Sequence, residues 1–291
     1  MDAAAKRRDE LLALGAGLVT VVLWASAFVG IRDAGEELSP GPLALARLAV
    51  GSILLGAFVL ARRERLPGRG NLLGLVLCGV LWFGLYMVVL NAAERRVDAG
   101  TASMLVNIGP VLIILLAGVI LKEGFPPTLL VGCALAFAGV VVIAFADAQR
   151  GASTLGAALC VLAAVAYAGG LVSQKPVVSR IAPLPAVLVS CLVGTLVCLP
   201  FTPALVDELR EARGSALAWA FYLGAFPTAL GFTTWAFALA RTDAGRMGTM
   251  TYLVPPLSIL MGWVFLGESP AALAFLGGAL CLAGVAVARR R

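Results

Sequence analysis

Trp82 and Tyr86 stand four positions apart, Phe232 and Trp235 stand three apart, and Trp24 and Tyr167 are aromatics at corresponding places in two apolar stretches. Spacings of three and four put each pair on one face of a helix. Ser103, Asn107 and Pro110 run with Ile114 along a four-three-four stripe, and Gly248, Tyr252, Pro255 and Ile259 repeat that stripe. An amide, phenols and indoles can hydrogen-bond and stack, and together they suit a pocket that holds a small amphipathic molecule. Plain core packing is the competing role for the aromatics, and Trp219, Tyr222 and Trp263, nearer segment ends, read as interfacial anchors.

Arg47 is the only charge well inside an apolar segment. A guanidinium at such depth costs roughly 3 kcal/mol by insertion scales, so it needs a function or a bonded partner; snorkelling to the nearby segment end is the alternative. It reads as a structural charge that could hold one side closed by bonding carbonyls or a carboxylate. Pro110 and Pro255 each remove a backbone hydrogen bond and crowd the carbonyl four residues earlier, so their segments are predicted to kink near the middle. Hinged gates and static bends are both open to them. The chain has no histidine, and no Asp or Glu lies in the middle of an apolar segment. Cys78, Cys133, Cys160, Cys191, Cys198 and Cys281 show no metal-ligand spacing and read as packing residues. General-base, zinc and paired-carboxylate chemistry therefore lack their groups, and no catalytic residue, metal or cofactor is expected.

The elements that must position these residues are membrane spans. Of 291 residues, 61% are apolar and 13% charged, with a mean hydropathy of +0.99. Ten apolar segments are predicted, near 11–31, 42–60, 71–91, 101–121, 128–146, 154–172, 185–200, 215–236, 247–266 and 271–288. All but the shortest, 185–200, are long enough to cross roughly 30 Å of hydrocarbon at about 1.5 Å per residue. The first exceeds a signal-peptide core and lacks a clear cleavage site, so it is kept as a span. Lys6, Arg7, Arg8, Arg62, Arg63, Arg65, Arg69, Lys122, Lys175, Arg180, Arg241, Arg246 and Arg289 to Arg291 fall on one side of this topology. The other side has only Arg32, Arg95, Arg96, Arg150, Arg210 and Arg213. The bias predicts a multi-pass protein of the inner (plasma) membrane with both termini cytoplasmic. It also accounts for the net charge of +6 without nucleic acid as a partner.

The chain repeats itself. Asp98-Ala99-Gly100, Pro110, Glu123, Gly132 and Gly139 recur as Asp243-Ala244-Gly245, Pro255, Glu268, Gly277 and Gly284, each 145 positions on (243 − 98 = 145). Trp24 with Tyr167, Pro40 with Pro183 and Gly51 with Gly194 recur at the shorter offset of 143 (194 − 51 = 143). Five spans per copy is an odd number, so the second copy enters the membrane from the opposite face. The expected fold is an all-α integral membrane protein, ten transmembrane helices as two inverted five-helix repeats, 11–148 and 152–289, around a central cavity. Gly132, Ala136 and Val140, with Gly277, Cys281 and Val285, are expected to pack spans five and ten. Glu123 and Glu268 are expected to cap helices or bond between them.

LWASAFVGIR in the first span, LARLAVGSILL in the second, and DAGTASMLVNIGPVLIILLAGVILKE with its echo DAGRMGTMTYLVPPLSILMGWVFLGE carry a resemblance. The chain resembles the EamA-type branch of the drug/metabolite transporter superfamily, most of all the YddG-type aromatic amino-acid exporters. That resemblance implies an exporter of amino acids or related small metabolites, and the inverted duplication with its kinked central spans points to a secondary transporter working by alternating access. Its partners would be a small-molecule substrate and the lipid bilayer, and it would act as a monomer. Efflux of hydrophobic drugs or dyes, a channel, and an intramembrane enzyme are the alternatives. The small four-helix relatives use a membrane-embedded glutamate in their first helix for proton-coupled export of cations. Trp24 and Ser26 stand in that region here, which argues against proton antiport and strongly cationic substrates.

Overall fold

The structure is a computed structural model that describes residues 3–120, 127–149, 153–241, 250–268 and 270–288. Lys122, Glu123, Arg150, Asp243 to Gly248 and Arg289 to Arg291 fall outside these, as do the side chains of Ile114, Cys133, Ala136, Tyr252 and Val285. Regular structure among the described residues is helical throughout. Helices α1 (Ala3–Ala34) and α2 (Pro40–Arg62) precede a composite rod made of α3 (Leu72–Cys78), a π-helical segment (Gly79–Leu85) and α4 (Tyr86–Glu94). After them come α5 (Ala99–Val106), α6 (Gly109–Ile120), α7 (Pro127–Gln149), α8 (Thr154–Val178), α9 (Pro183–Cys198) and α10 (Thr202–Glu211). A second composite rod joins α11 (Gly214–Leu223), a π-helical segment (Gly224–Leu230) and α12 (Gly231–Leu239), and α13 (Val254–Leu266) and α14 (Ala272–Ala288) complete the order.

Among the described residues six stretches are long and apolar enough to cross a membrane: Leu11–Ala34, Pro40–Arg62, Arg69–Glu94, Thr154–Val178, Pro183–Glu211 and Gly214–Leu239. Ala99–Ile113, Val254–Leu266 and Ala272–Gly284 are shorter apolar helices. Their outer faces leave large side chains bare, Leu60 at 78% and Phe265 at 71% exposure, which suits hydrocarbon and not water.

Local sequence sets the ends. Pro40 and Pro183 start α2 and α9, where a missing N–H removes no helical bond. Asp98 caps α5, its carboxylate accepting the Thr101 N–H at 2.8 Å and the Thr101 hydroxyl at 2.7 Å. Gly267, at φ +66°, ends α13 in the left-handed conformation that glycine tolerates best.

The two π-helical segments lie 145 positions apart (224 − 79 = 145), and each brings a glycine against a neighbouring helix. A methyl group on Gly79 would sit 2.6 Å from Val193 Cβ and 2.7 Å from the Ser190 carbonyl. On Gly224 it would sit 2.6 Å from both the Arg47 carbonyl and Val50 Cβ. Packing runs across the two parts of the chain: α2 on α9, α7 on α14, α5 on α13, α1 on α11 and α12, and α3 and α4 on α8. Ser52 and Thr195, 143 positions apart, hydrogen-bond to each other at 2.9 Å in the α2–α9 contact.

Two expectations need correcting. Pro110 does not kink a continuous helix: α5 ends at Val106, and Pro110 sits in the first turn of α6. Pro255 likewise sits in the first turn of α13, behind a 3₁₀ turn at Thr251–Leu253. Proline is tolerated at such a start and disfavours helix in the residue before it, so a break replaces the bend. Trp219 and Tyr222 are also not simple interfacial anchors. Trp219 covers Gly30 of α1, and the Tyr222 hydroxyl hydrogen-bonds to Ser26 at 2.7 Å. Trp263, by contrast, is exposed.

Candidate substrate cavity

Glycines seat the aromatics. Trp82 lies on Gly170, Phe83 on Gly194, Tyr167 on Gly109 and Trp24 on Gly231, each close enough that a methyl group would press into the ring or its backbone. Flush seating draws the rings of distant segments together. Ring centroids lie 5.0 Å apart for Trp82 and Tyr167, 4.9 Å for Trp82 and Phe232, 5.4 Å for Trp24 and Phe232, and 6.1 Å for Tyr86 and Tyr167. These tilted and edge-on arrangements are the ones the ring quadrupoles favour.

The rings wall a cavity of about 70 Å³, several times the roughly 10–15 Å³ that lodges one water. Trp24, Arg47, Trp82, Tyr86, Ser103, Asn107, Pro110, Tyr167 and Phe232 all line it. Trp235 does not: it stands behind Trp24, centroids 5.0 Å apart. Pro255 is buried outside the lining, and the side chain of Tyr252 lies outside the described residues. Arg47 is only 4% exposed, so it does not snorkel. It bonds neither a carbonyl nor a carboxylate among the described residues; its Nε donates to the Thr228 hydroxyl at 3.3 Å.

Ala27, Phe28, Ile31, Met87, Leu90, Val106, Thr251 and Val254 also line the cavity and were not singled out from sequence. Most are ordinary apolar residues with no signal to mark them. Thr251 had one, because it lies four residues before Pro255 and proline leaves the carbonyl at that position without its helical donor. The Asn107 amide reaches across and donates to the Thr251 carbonyl at 3.4 Å, tying the break after α5 to the turn before α13. Ser103 donates to the Gly100 carbonyl at 2.7 Å.

Charged residues gather next to one end of the cavity lining. Just beyond Ile31 and the α4 turn carrying Leu90, Arg32 pairs with Glu268 at 2.7 Å and donates to the Glu94 carbonyl at 2.8 Å. The second Glu268 oxygen accepts the Ala99 N–H at 3.3 Å, the interhelical role expected of that residue. Glu94 is itself 1% exposed, and neither carboxylate oxygen has a hydrogen-bond partner among the described residues. At the same end the Glu208 carboxylate accepts the Ser39 N–H and hydroxyl, and Arg213 pairs with Glu37. The Arg213 backbone N–H, and then its guanidinium, hold the Glu37 carboxyl below its ordinary value of 4.5.

A bundle of apolar helices among the described residues, with an aromatic cavity inside, defines a class, the multi-pass membrane proteins. Residues 11–145 and 154–290 each match the EamA-like transporter family, and the chain belongs to that family. It is a membrane transporter and not an enzyme. It is 38% identical over 280 residues to a probable terminal-alkyne amino-acid exporter of Streptantibioticus cattleyicolor, covering 96% of this chain and 94% of that one. It is 27% identical to a probable amino-acid metabolite efflux pump of Escherichia coli, covering 96% and 94%. A solved crystal structure with 22% identity superposes with a TM-score of 0.65 over 95% of this chain and 97% of its own, a likeness of fold.

Proposed function

We propose that the protein exports amino acids, or amphipathic metabolites close to them, across the inner membrane by alternating access. The observation that carries this reading is the cavity: walled by aromatic rings from both parts of the chain and dotted with a few polar groups. Such a lining suits a solute with one apolar and one polar end. Relatives whose names refer to amino-acid export point to the same substrate class.

Alternating access follows from a ten-span topology of two inverted repeats, 11–148 and 152–289, working as a monomer with both termini in the cytoplasm. Three observations support it: the shared 145-position offset of the π-helical segments, the cross-packing of the two parts, and the Ser52–Thr195 bond between residues at equivalent positions. Pro110 and Pro255, each just after a helix break, would be the hinges. The Arg32–Glu268 pair would latch one end.

The aromatic walls also suit hydrophobic cations, so dye efflux is the second reading. Reconstituted protein tested with a panel of labelled amino acids and cationic dyes, with and without a pH gradient, separates the two. Movement of amino acids and not dyes is expected. Transport of dyes alone would replace the amino-acid reading, and dependence on the gradient would decide coupling.

A further inference from the structure

Arg47 sits in the cavity wall with most of its hydrogen-bonding capacity unused. Its one bond is from Nε to Thr228, and the Thr228 hydroxyl proton is directed to the Leu223 carbonyl at 2.7 Å. That bond fixes the guanidinium by one edge. The two terminal nitrogens make no hydrogen bond among the described residues, and neither is a buried unpartnered atom, so both keep access to the cavity. Arg47 takes part in no ion pair among the described residues. Tyr86, Glu94 and Cys191 are the titratable groups that act on it electrostatically. A permanent cation at this depth with no carboxylate bonded to it is costly unless an anion visits it. The free edge of a guanidinium matches the two oxygens of a carboxylate. The corresponding residue of the second part, Ser190, is neutral and donates to the Leu75 carbonyl at 3.1 Å, so the equivalent position offers no second anchor.

We propose that Arg47 binds the carboxylate of the transported molecule, while Trp82, Tyr86 and Phe232 hold its apolar end. The cavity then selects small apolar or aromatic acids and amino acids over the corresponding amides and amines. The proposal rests on the exporter reading above and narrows its substrate class.

The test uses the full chain in proteoliposomes, with uptake of labelled phenylalanine and leucine challenged by unlabelled phenylalanine, 3-phenylpropionate, phenylalaninamide and phenethylamine. The two carboxylates should compete roughly tenfold or more better than the amide and the amine, the scale of one charge-assisted hydrogen bond. Arg47→Gln should erase that preference, and Arg47→Lys should keep part of it. Equal competition by acid and amide in the unaltered protein overturns the anchor, as does a preference that survives in Arg47→Gln. Should the Gln variant not fold, the unaltered protein's preference still decides. If neither labelled amino acid is carried, the exporter reading for apolar amino acids falls and the anchor falls with it; if they are carried without preference, only the anchor falls.

Discussion

At the scale of single residues, hydrogen bonds decide which polar groups can sit in an apolar bundle. Asn107 supplies the donor that Pro255 denies to the Thr251 carbonyl. Asn107→Ala removes one donor from that carbonyl, which keeps the Val254 N–H of the 3₁₀ turn, at a cost of about 1 kcal/mol. Uptake should drop at unchanged expression, with only a modest fall in the detergent melting temperature; normal uptake would remove Asn107 from the working site. Glu37 acts in the loop between α1 and α2. Its carboxyl is held low by Arg213, so the ionised form favours the closed loop, fully above the ordinary 4.5 and progressively less as pH falls through the lowered value. Arg213 is exposed and Glu37 only half-buried, and the effect on stability should be small. Melting curves at decreasing pH should show a shallow loss below about pH 4.5 that Glu37→Gln abolishes; an identical pH profile in the variant would contradict the clasp.

The helices were legible from composition and period at the scale of elements, because a span must be apolar whatever it packs against. What lay beyond the sequence was decided by neighbours. Nothing in Gly79–Leu85 announces a π-helical turn, since it contains no proline; the close approach of Gly79 to the Ser190 carbonyl arises only when α9 is in place. The helix breaks fell before Pro110 and Pro255 and not at them, because the residues ahead of each proline had alternatives to bending. Gly79→Ala and Gly224→Ala must each displace backbone or Cβ atoms, at about 1–3 kcal/mol. Both should melt earlier in detergent than Gly56→Ala, whose added methyl meets nothing within 4 Å. Equal melting of all three would mean that the π-helical contacts yield easily.

For the whole molecule, the described aromatic side chains marked by helical spacing converge on one cavity, apart from Trp235, which supports it from behind. Arg47 was visible in the sequence as an anomaly, but its unpaired edge was not, because pairing depends on what Thr228 and Glu94 do in space. The carrier reading requires one end of the cavity to open as the other closes. Arg32→Ala removes the Arg32–Glu268 latch and should favour opening at that end. A cysteine placed at Ser103 should then react faster with a membrane-impermeant thiol reagent, and an unchanged rate would assign the pair to stability alone.

Counterflow tests the central claim most directly. Proteoliposomes loaded with unlabelled amino acid are diluted into labelled amino acid, and the label inside is followed with time. A carrier that alternates its access exchanges faster when both sides are occupied, so the label should rise transiently above equilibrium. Label that enters at the same rate with or without internal amino acid would contradict alternating access.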